Sequence, residues 1–463
     1  TSCSLAQSED DELPRIVASS TDGKSIPSVL HVDRHRHLSI GREALDALQT
    51  DPRHAIPFPL RSLAEDSFPS TIYGSALPPT VLVGLLLRQL LKATVDQVEA
   101  ADAVVIAVPN RFDESRRGAI QTAGYLAGLT RVDLVNRSTA LLSAWEAESR
   151  RAGEAPLGAG DHLLAFDLGG GGCDVAVYRY RSDGIDTLAL GGDLLLGGLE
   201  FDRKLIDHVA ESFRRRFGDD PREQLIAQAC LASSCEQARR RLSKDSETTV
   251  ELTHEGQHLS VPLSRSLLRR LTVDLTDRVA AIADDTLRRA GVAWSQLDRV
   301  LLAGGGGRMT VIRRLVAGRW GREPIAPAYF EHAVAQGAAL HARFLAAKRA
   351  GSQTPTRIRE VTANALAFVI NDRESGSTEA RQLIPRNAPL PAFCRRSFRT
   401  GRSGQRRLTV TLIEGESHEP EAWIPLGRLS IDDLPADLPA GSGVELTFAY
   451  REDGRLAVSY AFD

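Results

Sequence analysis

The stretch FDLGGGGCDVAVY, Phe166–Tyr178, decides the architecture. Leu163 to Leu168 is an apolar strand interrupted only by Asp167, four consecutive glycines follow, and Cys173 to Tyr178 is a second strand. A strand–glycine–strand unit of this kind is a tight hairpin. Its backbone approaches a ligand closely, and its amides form a nest for an anion such as phosphate. Asp167, at the strand end, is placed to hold a cation through its water. The competing reading is a plain hairpin, although four glycines exceed what a turn needs. A second unit, VLLAGGGGRM at Val300–Met309, passes from strand into helix, whose free amides and dipole also favour an anion. Arg308 within it carries a flat guanidinium suited to stacking on a purine. Neither unit matches G-x-x-x-x-G-K-[ST], and no G-x-G-x-x-G with a downstream acid stands out. Two glycine turns so far apart in sequence predict two lobes clasping one nucleotide.

Outward from these turns the pattern alternates. Helical periodicity over 77–99 precedes a strand at 103–108, a helix at 113–129, a strand at 132–135 and a helix to 151, which together describe an α/β layer. Strands at 162–168, 173–180 and 185–190 are followed by helices at 200–217 and 222–242 and a strand pair at 248–252 and 258–262. One helix is expected over 264–290, then a strand at 300–303 and helices near 308–318 and 331–349. After Gly351 the periodicity changes from helical to alternating, so the last hundred residues read as a β-sandwich.

Composition sets the outer bounds. A chain of 463 residues suggests two to four domains. With 57 basic and 60 acidic residues the net charge is −3, which points to neither a nucleic-acid nor a membrane-surface partner. Five scattered cysteines without a C-x-x-C pair indicate reduced thiols and a cytoplasmic location. Only five of the basic residues are lysine, and the arginines read as dispersed, a bias of genome composition. His31, His35 and His37 lack a Cys or carboxylate cluster and read as a polar segment in preference to a metal site. No secretory signal opens the chain, and its start at Thr1 without an initiator methionine is expected of a processed product or a fragment.

Five segments in order, FDLGGGGCDVAVY, GGDLLLGGLEFD, ACLASSCEQARRRLS, VLLAGGGGRM and AVAQGAALHA, resemble the nucleotide-binding segments of the seventy-kilodalton heat-shock (DnaK-type) chaperone family. VVIAVPNRFDESRRGAIQTAGYLAGL is similar to that family's first connecting segment, and LIPRNAPLP and YREDGRLAVSY to its peptide-binding β-domain. The resemblance implies an α/β actin-like two-lobe ATP-binding domain over 1–350, with lobe I about 1–165 plus the last helix and lobe II about 166–330. A linker at 351–360 and an all-β sandwich substrate-binding domain at 361–463 would follow. It implies ATP/ADP contacts at Thr1, Ser2, Cys3, Gly169, Gly170, Gly171, Gly172, Gly197 and Gly198. On the adenosine side it implies Glu236, Arg239, Arg240, Ser243, Gly305, Gly306, Gly307, Arg308 and Glu331. The spacing of Glu236, Arg239, Arg240 and Ser243 puts them on one helical face, where a solvated charged helix is the competing reading.

For catalysis the resemblance implies Asp167 and Asp174, with Arg61 as counterpart of the family's lysine. It implies Mg2+ near Asp167, which Arg137 opposes, because a cation stands where the family has a glutamate and reverses the local field. Ser138 replaces the proline of the same segment, and weak hydrolysis is the expectation. The segment Thr356–Glu360 is mostly charged where the family is apolar, so it is expected to gain little by docking into an apolar interlobe crevice, with domain communication taking another route. Phe368 and Ile370, and Leu408 and Val410, alternate so that each pair faces one side. They read either as a groove for an extended apolar peptide or as sandwich core. The half hairpin before Thr1 and the helical lid after Tyr460 are expected to be absent. The leading expectation is therefore an ATP-binding, monomeric chaperone of unfolded or extended polypeptide, with co-chaperones as further partners. The alternative is a pseudo-ATPase that acts as a nucleotide-responsive scaffold or co-chaperone. An actin-like small-molecule kinase would not explain the sandwich.

Overall fold

The computed structural model describes residues 2–8, 13–17, 25–63, 65–94, 104–326, 331–352, 358–371, 378–416 and 420–462. The first part is mixed α/β. A parallel pair, β1 (Val105–Val108) and β2 (Asp133–Asn136), is linked by the helix Glu114–Leu126. Asp113 starts that helix by accepting the amide of Arg116 at 2.8 Å. Helix α1 (Arg137–Arg151) follows β2 without a loop.

The centre is a five-stranded sheet. Strands β3 (His162–Leu168), β4 (Cys173–Arg181) and β5 (Gly184–Asp193) form an antiparallel meander. Their apolar runs are buried on both faces, which is why they read as strands without alternation. Helices α2 (Gly198–Phe217) and α3 (Leu225–Leu242) follow, and strand β6 (Arg299–Ala303) returns to pair parallel with β3. This register sets both glycine turns at the same end of the sheet. The helix expected over 264–290 is two, Arg265–Leu271 and Val273–Ala290. Thr272 divides them, its hydroxyl bonding back to the Leu268 carbonyl at 2.8 Å. Helix α4 (Ala333–Arg349) packs on α1.

The fifth strand, β7 (Ile358–Arg359), pairs parallel with β5, Ile185 opposite Ile358 and Asp186 opposite Arg359. The charged linker thus docks on the edge of a strand, a mode other than the apolar crevice in which little gain is expected. Arg359 donates to Asp186 at 2.5 Å and to Asp183 at 3.0 Å, and Asn136 donates to Glu360 at 3.1 Å. Charge does not prevent docking here because the side chains of Arg359 and Glu360 each meet a partner. Residues 353–357 lie outside the described residues.

Beyond the linker two sheets face each other. One has the order β9 (Thr378–Ile384), β8 (Leu366–Asn371), β11 (Leu408–Glu414), β12 (Ile424–Ile431). The other has the order β10 (Ala392–Arg399), β13 (Gly443–Tyr450), β14 (Leu456–Phe462). They share one core of Leu366, Val410, Leu412, Val444, Leu446 and Phe448. This unit rests on the α/β part through polar contacts. Arg455 pairs with Glu114 at 2.7 Å, Arg289 with Glu416 at 3.2 Å, and Lys348 with Glu452. Buried Arg117 donates to Asn136 at 2.5 Å and to the Asp453 carbonyl at 3.3 Å.

Candidate nucleotide-binding site

The two glycine turns meet across the end of the central sheet. The Gly169 amide donates to the Gly172 carbonyl at 2.9 Å and closes the first turn. The start of α2 holds it from behind, Gly198 and Leu199 donating to the carbonyls of Gly169 and Gly170 at 3.0 and 2.9 Å. A Cβ at Gly197 would lie 2.6 Å from the Gly172 nitrogen, so only glycine permits this approach. The amides of Gly170, Gly171 and Gly172 donate to no backbone acceptor among the described residues, which leaves them for an anion. Gly304, with φ 77°, begins the second turn, and a Cβ there would lie 2.3 Å from Asp167 Oδ1.

A cleft of about 2050 Å³ opens between these turns. Ser2, Cys3, Arg61, Asp167, Gly169, Gly170, Gly171, Gly172, Asp174, Gly198, Glu236, Arg239, Arg240, Ser243, Gly305, Gly306, Arg308 and Glu331 line it. Gly197 and Gly307 stand behind the lining, and Thr1 lies outside the described residues.

Beside the first glycine turn, Arg137 Nη1 is 3.7 Å from Asp174 Oδ2, and the Asn110 amide donates to Asp174 Oδ1 at 2.7 Å. Burial pushes the Asp174 carboxyl up to about 7, against the pull of Arg137. Burial raises Asp167 too, again with Arg137 opposing. Both carboxylates therefore face a fixed guanidinium, and Asp174 has both oxygens engaged by N–H or cationic groups. Mg2+ is held by one or two carboxylates together with phosphate and water oxygens, and the guanidinium charge opposes such an ion beside these two carboxylates. Among the described residues no group of His, Cys, Asp and Glu is arranged to hold a metal ion. His31 instead meets Asp51 at 3.2 Å.

Arg61 reaches the cleft from the short turn Pro59–Ser62, which Phe58 enters in the left-handed region at φ 54°. Such a conformation in an aromatic residue is strained and fixes where the turn points. Arg61 pairs with Glu200 at 2.7 Å, and the other Glu200 oxygen accepts the Gly197 amide at 2.8 Å. The sequence reading missed Glu200, Asn110 and Asp202. Glu200 was signalled as the third residue of a helix opened by glycine, the place of a capping glutamate.

On the other wall α3 presents its charged face, and its four candidates divide by burial. Arg240 and Glu236 form an exposed pair at 2.8 Å. Arg239 is buried and donates to Asp202 at 2.6 Å from a side chain only 7% exposed. Burial raises Asp202 against the pull of Arg239. Arg239 therefore ties α3 to α2, whereas Arg240, Ser243 and Arg308 face the cleft. Arg308 sits 3.6 Å from Glu331.

In the sandwich, Phe368, Leu408 and Val410 belong to the shared core, Phe368 stacking edge-on to Phe398 at 5.2 Å. Ile370 alone of the four is exposed, at 39%.

The sequence profile described as Hsp70 protein matches residues 31–462. A chaperone protein DnaK of Thermotoga neapolitana is 28% identical over 466 residues, covering 98% of this chain and 76% of the relative. A chaperone protein DnaK of Elusimicrobium minutum is 29% identical over 458 residues, covering 96% and 71%. With a profile match over nearly its whole length, the chain belongs to the Hsp70 family.

Proposed function

We propose that this protein is an ATP-binding chaperone of the Hsp70 type, with an actin-like two-lobe nucleotide domain and a β-sandwich that engages extended polypeptide in the cytoplasm. The observation that carries the nucleotide half is the pair of glycine turns at one end of the sheet, with undonated amides on one side and Arg240, Ser243 and Arg308 on the other. Gly170, Gly171 and Gly172 hold the phosphates and Arg308 stacks on the base. When bound, the nucleotide supplies the phosphates and the energy of their hydrolysis. The names of the DnaK relatives support the chaperone half. Isothermal titration with ATP and ADP tests it: both bind at the cleft, and Arg308→Ala weakens both alike. An absence of binding by the wild type would reject the reading.

A second reading, a nucleotide-responsive scaffold that barely hydrolyses ATP, is favoured by Arg137 beside Asp174. The guanidinium brings its own positive charge to the phosphates. Single-turnover hydrolysis with and without magnesium separates the readings, brisk magnesium-dependent turnover excluding the scaffold.

A further inference from the structure

The arginines are not dispersed everywhere. Between Glu379 and Glu414 there is no acidic residue, and the interval holds eight arginines. Six of them, Arg395, Arg396, Arg399, Arg402, Arg406 and Arg407, fall on β10 and the loop from it to β11, and all are exposed.

The strand register places this run. Leu366 of β8 lies opposite Glu414 of β11, and Glu414 accepts from Asn364 at 2.7 Å and, at the α/β part, from the Glu114 amide at 3.3 Å. The opposite end of the sandwich therefore carries the C-terminal end of β8, the start of β11 and the arginine loop. There the β8–β11 ladder stops at Val369 opposite Thr411, although β8 continues through Ile370 and β11 begins earlier, at Leu408. Beyond that point the two strands run on without pairing each other. The exposed Ile370 stands on one side of the gap, and Arg406 and Arg407 lead directly into the other.

Among the described residues, arginines at this end outnumber the acids. Glu379 is held by Arg381 at 3.0 Å, and Asp432 by Arg407. Among the described residues Asp433, Asp437 and Glu445 remain, against Arg395, Arg396, Arg399, Arg402 and Arg406, which form no ion pair there; Asp372, Arg373 and Glu374 lie outside the described residues. Guanidinium groups bind carboxylates bidentately, and several on one loop recognise closely spaced carboxylates.

We propose that this end of the sandwich selects extended polypeptide in which acidic residues flank a short apolar run. The apolar residues sit at Ile370 and the β8–β11 gap, and the flanking carboxylates meet the arginine loop. The inference rests on the reading of the sandwich as a polypeptide-binding unit and adds its selectivity.

Fluorescence anisotropy with the full chain tests it, using two labelled peptides of one apolar core flanked by glutamates or by lysines. The glutamate-flanked peptide is expected to bind about tenfold tighter at low salt, with the advantage falling as salt rises. Arg402→Glu with Arg406→Glu, both on exposed loop residues, reverses the preference, while circular dichroism and ATP titration stay as in the wild type. Equal affinities, or a preference for lysine flanks, overturn the selectivity and leave the polypeptide reading standing. Failure to bind either peptide overturns both. Competition by double-stranded DNA as effective as by the acidic peptide, and lost in the same variant, would show a general polyanion surface and overturn the proposal.

Discussion

Arg137 and Arg239 show how the same side chain serves different ends. Arg137 lies partly exposed beside two buried carboxylates, and in the proposed reading it brings positive charge to the phosphates. Wild-type ATP affinity should therefore change little when magnesium is removed with a chelator. Arg137→Glu should make binding magnesium-dependent by about tenfold or more, the effect of about 1.4 kcal/mol, and a magnesium titration by calorimetry reads this directly. A wild type that already binds only with magnesium would remove Arg137 from the phosphate end. Arg239 is the opposite case. Removing one partner of its buried pair with Asp202 strands the other charge, so Arg239→Ala should cost about 3–5 kcal/mol of stability. Arg240→Ala, which breaks only an exposed pair, should cost less than about 1 kcal/mol but still weaken nucleotide binding. Urea unfolding and titration of both variants separate structure from ligand contact. From sequence the two arginines were indistinguishable, because helical spacing gives a shared face but not which neighbour lies across it.

Among the elements, the central strands were legible because continuous apolar runs bounded by glycine have few alternatives. The break at Thr272 was not, since the hydroxyl bond to Leu268 competes with a helical pattern that continues on either side. The linker strand was not legible because Asp183, Asp186 and Asn136, which satisfy its charges, are far away in sequence. Arg359→Ala should release that strand, and amide exchange at 358–360 should then quicken while exchange in β3 stays slow. Unchanged exchange at 358–360 would mean the ladder alone holds it. Helix α4 offers a pH test. His341 stacks near Phe344 with centroids 5.8 Å apart, and burial pushes its pKa down to about 4, with Lys348 adding to the shift and Asp133 and Glu452 opposing it. The unfolded chain takes up a proton near pH 6.5 and the folded chain does not until about 4. Stability from this group is therefore complete above 6.5 and is lost as pH falls toward 4, at about 1.4 kcal/mol per unit. Between pH 6.5 and 5 the wild type should lose about 2 kcal/mol more than His341→Gln in urea unfolding. Equal losses would show that His341 protonates freely in the folded protein.

For the whole molecule, the sandwich stays on the α/β part through Glu114–Arg455, Arg289–Glu416 and Lys348–Glu452, with Arg117 buried behind them. In about 1 M salt the Debye length falls to about 3 Å, so the exposed Lys348–Glu452 pair loses most of its attraction and the partly buried Glu114–Arg455 and Arg289–Glu416 pairs lose less. The radius of gyration from solution scattering should rise between low and high salt, and Glu114→Gln with Arg455→Gln should raise it at low salt. A radius indifferent to both would place the holding force in the apolar contacts. These pairings join residues more than a hundred positions apart, and no local pattern announces them. The linker strand has one more consequence. It pairs with two residues on the β5 edge of the central sheet, so whenever it lifts, Ile185 and Asp186 of β5 present unpaired backbone groups, the template on which chains aggregate. The uncovered segment is only two residues long, and the Asp183 carboxylate, relieved of Arg359, then stands as a bare negative charge beside it, while Asp186 keeps its pair with Arg181. Short length and inward-crowding charge are how sheets repel unwanted strands, so the residues that fasten the linker also guard the edge that its departure exposes.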